Sequence, residues 1–138
     1  GYRVGVYTSP HLVRFNERCR VLGADMEDAP LVSALQVVEQ VRGAVALTYF
    51  EHTTLAIWHA LRQLALDVVI LEVGLGGRLD AVNAIDPDVS LITSIDVDHA
   101  QWLGDTREAI GHEKAGIMRR ARVAVVGDPL QPQSFSMI

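Results

Sequence analysis

The spacing of apolar and polar positions changes period several times along the chain, and each change marks an element. Val4 and Val6 alternate with their neighbours and lead into Thr8-Ser9-Pro10, which reads as a strand running into a loop. Glu17 to Leu22 reads as a second short extended stretch. Between Pro30 and Arg42 the period lengthens, and Leu31, Ala34, Leu35, Val38 and Val41 fall on one helical face. Pro30 sits near the start of that helix, where its missing N–H costs nothing. His52 to Ala65 reads as another helix, started by Thr53 or Thr54 and packing Leu55, Trp58 and Leu61.

The run from Asp67 to Val73 is continuously apolar until Glu72, as in a parallel strand buried on both faces. Val89 to Ile95 is another such run. Asp105-Thr-Arg-Glu108 has the form of a capping box and predicts a helix to about Arg119, weakened by Gly111 and Gly116. Arg122 to Val126 reads as a last strand. Helices and strands alternate throughout, so the predicted class is α/β with a mainly parallel sheet flanked by helices. Residues 1–127 read as one partial domain and residues 128–138 as an irregular tail.

Composition sharpens this picture in three places. Hydrophobic residues make up 49% of the 138 residues and the mean hydropathy is +0.20, a high value that implies apolar surface beyond what one core uses. A net charge of -5 argues against a nucleic-acid-binding surface. The single cysteine, Cys19, excludes an internal disulfide and fits a reducing, cytoplasmic compartment. No apolar run approaches the length of a membrane span. The chain opens on Gly1 and reads at once as mid-strand, so the true N-terminus is expected upstream.

In parallel sheets chemistry collects beyond the carboxyl ends of the strands. Ser9 follows the first strand, Glu72 ends the third, and Asp96, Asp98 and His99 follow the fourth. Oxygen donors with one imidazole suit a hard divalent ion such as Mg or Mn. The ordinary alternative is that Glu72 pairs with Arg78 and that His99 merely caps a loop. Gly74-Leu-Gly76-Gly77 matches neither a dinucleotide fingerprint nor a phosphate loop, so any ATP cradle lies outside this chain. Asp80 and Asn83 have the chemistry of turns and helix caps, and Thr48 to Glu51 that of a helix start. Trp102 reads as packing. Lys114 is the one lysine among twelve basic residues.

Five segments together resemble folylpolyglutamate synthase, including the bifunctional dihydrofolate synthase, of the Mur ligase superfamily. They are Thr8-Ser-Pro-His-Leu12, Thr48-Tyr-Phe-Glu51, Leu71-Glu-Val-Gly-Leu-Gly-Gly-Arg-Leu-Asp-Ala81, Asp98-His99 with Trp102-Leu-Gly104, and Glu113-Lys-Ala-Gly-Ile117. The resemblance implies an ATP-dependent ligase adding L-glutamate to dihydropteroate or a folate through an acyl phosphate, with two Mg2+ sites and a monomeric parent. It implies Ser9, Glu72 and His99 as metal ligands and Lys114 as a lysine carboxylated to a carbamate. It implies Thr48, Tyr49, Phe50, Glu51, Leu79, Asp80 and Ala81 as pterin-binding positions. Val82 departs from the threonine usual there. The phosphate loop and a C-terminal domain are absent, so the chain alone is expected to be inactive. A peptidoglycan-type Mur ligase fragment, a small metal-dependent hydrolase using Glu72, Asp98 and His99, and an inert pterin- or metal-binding module are the competing readings.

Overall fold

A computed structural model describes residues 1–130, Pro132 and Phe135. The chain divides into two compact units, Gly1–Gly74 and Leu75–Ile138. Apart from Pro132 and Phe135, the tail predicted beyond Leu130 lies outside the described residues.

The first unit holds β1 (Val4–Tyr7), β2 (Cys19–Val21), β3 (Ala24–Asp25), α1 (Asp28–Arg42), α2 (Tyr49–Arg62) and β4 (Val68–Leu71). Its sheet has the order β3-β2-β1-β4. β1 runs parallel to β4, with Val4 opposite Val68 and Tyr7 opposite Leu71, and antiparallel to β2, with Tyr7 opposite Cys19. The buried centre gathers Tyr7, Cys19, Ile57 and Leu61. Burying a tyrosine requires a partner for its hydroxyl, and the Tyr7 hydroxyl lies 3.0 Å from Thr54 Oγ1, also buried. Gly5 lets α2 come close: a Cβ there would stand 2.8 Å from Leu61 Cδ2 and 2.6 Å from Leu66 Cδ1.

The second unit holds β5 (Val89–Ile92), α3 (Ala100–Leu103), α4 (Arg107–Ala115) and β6 (Val123–Val126), with β5 and β6 parallel. Ile92, Ile95 and Ile110 form its core, with Leu103, Ile117, Met118 and Phe135 against them. Asp128 is buried and locks the unit's end. It accepts from the Ile95 N–H at 2.6 Å and the Leu130 N–H at 2.8 Å, and meets Arg107 Nη2 at 3.0 Å. Those bonds, the Ile95 N–H first, hold its carboxyl below the usual carboxylate range.

The α/β class with parallel pairs agrees with the sequence, and β2 and β3 add antiparallel pairing at one edge. Several boundaries differ. The stretch from Glu17 opens inside a 3-10 turn, Phe15–Arg18, before β2 begins. Helix α2 starts at Tyr49, because Thr48 and Glu51 close a reciprocal capping box there. Thr53 and Thr54 are therefore buried helix residues and start nothing. Leu55 is exposed, and α2 packs through Ala56, Ile57, Ala60 and Leu61 instead. Val41 is likewise exposed, in the last turn of α1. Helix α4 is capped by Thr106, whose Oγ accepts from the Ala109 N–H, and not by an Asp105–Glu108 box. It ends at Ala115, where Gly116 is pressed against Arg78; a Cβ on that glycine would stand 2.6 Å from Arg78 Cα. Trp102 does not pack: it is 72% exposed on the one-turn α3.

The runs predicted to be buried on both faces are covered on one. Val68 and Ile70 of β4 and Val89 and Leu91 of β5 are exposed, and the last strand, β6, is exposed at Val123, Ala124 and Val125. Part of the compositional surplus of apolar residues lies on these strands.

Candidate functional site

The parallel pairing of β1 and β4 sets their carboxyl ends side by side. The Glu72 N–H continues the ladder to the Tyr7 carbonyl at 2.9 Å, so the Glu72 side chain emerges next to the loop that leaves β1. There its Oε2 accepts from the Ser9 N–H at 2.8 Å. The sequence-predicted pair Ser9 and Glu72 is thus in contact. Arg78, the alternative partner considered for Glu72, places its guanidinium on Glu113 at 2.9 Å.

The loop after Ser9 is shaped by a residue that periodicity did not single out. Glu17 accepts three successive backbone N–H groups, from Leu12 at 2.8 Å, Val13 at 2.9 Å and Arg14 at 2.6 Å. Those donors, Leu12 first, lower its pKa to about 2. Because the folded-state value lies below that of a free glutamate, this contribution to stability is complete above about pH 5 and is lost as pH falls toward 2. Denaturant melts from pH 6 to pH 2.5 should show Glu17→Gln less stable than the parent at pH 6, with the gap narrowing on acidification. A gap that is constant across that range would remove Glu17 as the loop's anchor.

Thr48 and Glu51 spend their side chains on each other's backbone: the Thr48 N–H donates to Glu51 Oε2 at 2.7 Å, and the Glu51 N–H to Thr48 Oγ1 at 3.2 Å. The bond from the Thr48 N–H is the main cause of the lowered Glu51 pKa. Between them Tyr49 stays exposed, while the Phe50 ring turns toward Tyr7, with centroids 6.2 Å apart. Phe50 also fills the space over Gly74, where a Cβ would stand 2.5 Å from its Cζ. That contact gives the first glycine of the Gly74–Gly77 run a packing reason.

In the second unit, Asp80 caps the turn Ala81–Ala84, accepting from the Val82 N–H and the Leu75 N–H, both at 2.9 Å. Leu79 points outward. The glycine-rich loop is clamped to the end of α4: the Arg78 N–H donates to the Glu113 carbonyl at 2.8 Å, and Asn83 Nδ2 donates to the Arg78 and Gly116 carbonyls at 3.0 Å each. Gly77 permits this approach, since a Cβ there would stand 2.8 Å from the Glu113 carbonyl oxygen. Lys114 sits half-buried beside this clamp. The ordinary reading of Lys114 is an ion pair with Glu113 or Asp98, and neither holds it: Glu113 is engaged by Arg78, and Asp98 lies 3.6 Å from His99 Nε2. Among the described residues Lys114 has no ion pair. His99 is exposed and adopts the left-handed conformation, φ 51°, which a histidine tolerates only at some cost in energy. Among the described residues no group of three or more His, Cys, Asp or Glu side chains is placed to hold a metal ion.

Arg18 was also missed, because an arginine inside an apparently extended stretch reads as solvated. It is 7% exposed. Its Nε donates to His11 Nδ1 at 2.7 Å, and its guanidinium lies over the Tyr49 ring at 5.6 Å. Cys19 is fully buried and desolvation pushes its thiol up to about 12, which keeps it protonated and inert. No helix among the described residues is long and apolar enough to cross a membrane.

These features define an α/β protein in whose first unit Ser9 meets Glu72, and Phe50 meets Tyr7, where the parallel strands β1 and β4 end. No protein-family model matches the chain. The chain is 52% identical over 136 residues to the dihydrofolate synthase/folylpolyglutamate synthase of Escherichia coli, covering 99% of this chain and 32% of that protein. It is 39% identical to the folylpolyglutamate synthase of Lacticaseibacillus casei over its whole length, covering 34% of that protein. Among solved structures, Escherichia coli FolC in complex with ADP, without folate substrate, superimposes over 99% of this chain and 33% of its own, with a TM-score of 0.97 at 52% identity. A bifunctional folylpolyglutamate synthase/dihydrofolate synthase with Mn, AMPPNP and L-glutamate bound gives a TM-score of 0.93 at 53% identity, over 99% of this chain and 34% of its own. The chain belongs to the dihydrofolate synthase/folylpolyglutamate synthase family, and spans about a third of the length of the relatives it matches.

Proposed function

We propose that this chain forms part of an ATP- and Mg2+-dependent amide ligase that joins L-glutamate to dihydropteroate, to folyl(poly)glutamate, or to both. The observation that carries the reading is the Ser9–Glu72 contact at the adjoining ends of β1 and β4, in a chain 52% identical to a protein of that activity. In this reading the substrate carboxylate is phosphorylated by ATP, and the glutamate amine displaces phosphate from the acyl phosphate. The solved relatives bearing ADP, or Mn with AMPPNP and L-glutamate, support the choice of nucleotide and co-substrate.

The donor set at the strand ends fits a hard cation. Glu72 brings a carboxylate and Ser9 a hydroxyl, both oxygen donors, with the carboxylate exposed and one of its oxygens fixed by a backbone N–H. His99 is carried into the ligand set by the family resemblance alone. When bound, Mg2+ would supply positive charge against phosphate oxygens. The chain's own residues orient and hold: Glu17 fixes the loop that carries Ser9, the capping box fixes the direction of Tyr49 and Phe50, and the clamp on α4 fixes Lys114. Thr48 to Glu51 and Leu79 to Ala81 are assigned to the pterin. The protein is read as cytoplasmic, in keeping with its single cysteine, and its full-length form as monomeric by the family resemblance.

The test is ADP release by a full-length form carrying this chain, given ATP, L-glutamate and dihydropteroate, with each omitted in turn. ADP release should require all three, and the 138-residue chain alone should give none, because it carries no phosphate loop. Indifference to dihydropteroate and folates, with turnover on a nucleotide-sugar acceptor, would move the chain to the peptidoglycan-type ligases.

A further inference from the structure

A buried guanidinium almost always has a carboxylate partner, because an isolated charge is costly to remove from water. Arg18 does not. It is more than nine-tenths buried, yet only Nε is hydrogen-bonded, to the neutral acceptor nitrogen of His11. Among the described residues, Nη1 and Nη2 have no hydrogen-bond partner and no carboxylate within ion-pair distance. The other contact is the Tyr49 ring, which compensates a cation weakly and satisfies none of its N–H groups.

The position of this arginine is well defined. Its carbonyl accepts from the Thr8 N–H at 3.0 Å, so it stands beside the residue that precedes Ser9. His11 lies in the loop after Ser9, and Tyr49 opens α2. The guanidinium therefore joins the Ser9 loop to the aromatic segment at the start of α2. Nη1 and Nη2 present a planar fork whose geometry matches a carboxylate bidentately. Tyr49 is 61% exposed and offers a flat apolar surface next to it. A charged fork beside an exposed ring describes a receptor for a carboxylate borne on an aromatic ring.

We propose that Arg18 is the carboxylate receptor of the site, holding through Nη1 and Nη2 the acid group of an aromatic carboxylic acid that lies along Tyr49. The assignment rests on the ligase reading above and specifies how its acid substrate is recognised. Arg18 would orient the carboxylate before it is activated, and His11 would keep the fork turned toward it.

The experiment compares pteroic acid with its carboxamide, which has the same shape without the charge, by calorimetric titration of the full-length form. The wild-type protein should prefer the acid by about tenfold or more, the scale of hydrogen bonds to a charged group. Arg18→Gln should bring the acid-to-amide ratio close to one while the carboxamide binds nearly as before. Arg18→Lys, which keeps the charge without the fork and serves if the glutamine variant does not fold, should fall between. An arginine that only braces the loop would weaken both ligands together. An unchanged acid-to-amide ratio in a folded variant would therefore overturn the assignment and leave the ligase reading standing. A wild-type protein that binds neither ligand would overturn the pteroate reading, and this assignment with it.

Discussion

Replacing Lys114 with alanine in the full-length form is expected to reduce turnover by about a hundredfold or more, the scale for losing a principal electrostatic element. Two structural facts favour a modified lysine over an ion-paired one. The two carboxylates considered as its partners are already engaged, Glu113 by Arg78 and Asp98 with His99. The backbone around Lys114 is also clamped to the glycine-rich loop, so the side chain leaves from a fixed point. A carbamate forms when the neutral amine attacks CO2 and a proton is released, turning a cation into an anion. Arginine keeps the positive charge and cannot react in this way. Lys114→Arg should therefore be as impaired as Lys114→Ala, and a short-chain carboxylic acid should restore part of the activity of the alanine variant. Substantial turnover by the arginine variant would return Lys114 to the role of a simple cation.

Glu72→Ala and His99→Ala should each reduce turnover by about a hundredfold or more, with little change in thermal stability. Glu72 directly follows β4 and His99 directly precedes α3; both are exposed, and neither contributes to the core. Glu72→Ala removes one hydrogen bond, from the Ser9 N–H, while the three N–H groups on Glu17 still define the loop. For His99 a second comparison is informative. His99→Gly relieves the left-handed backbone at φ 51° and should be at least as stable as the parent, though equally inactive. If either alanine variant turned over at near-normal rates in ordinary Mg2+, the proposed ligand set would be wrong.

The sequence was legible where physics is local or repetitive. The alternation at Val4 and Val6, the apolar run to Glu72 and the helical face of Leu31, Ala34 and Val38 are short-range signals, and each marked a real element. Strand ends then brought Ser9 and Glu72 to notice. Reading failed where one pattern served two purposes. Thr48-Tyr-Phe-Glu51 was recognised as a helix start, yet the helix was begun later at two threonines whose hydroxyls turn inward, one of them to Tyr7. Arg18 and Glu17 were illegible because their value depends on what the fold brings to them: three N–H groups for Glu17, burial without a counter-charge for Arg18. Nothing in a local window distinguishes them from surface charges. The apolar strands were read as strands correctly, but Val68 and Ile70 of β4 and Val89 and Leu91 of β5 are exposed, because an apolar run by itself does not say whether a strand is covered on one face or two.

The register of β1 has a consequence for how the chain comes together. Its antiparallel neighbour β2 follows within a short loop, whereas its parallel neighbour β4 arrives only with Val68, roughly sixty residues after Val4. Closing so long a loop is entropically costly before any contact repays it, and parallel pairing across such a separation is slow. At about 5 to 20 residues per second of synthesis, one edge of β1 waits roughly 3 to 13 seconds for its partner to be made. During that interval the β1–β2 hairpin exists with one open edge, and the Ser9 loop beyond it has Glu17 but not Glu72. The Ser9 loop is thus shaped first, and the strand-end carboxylate that meets it is supplied later.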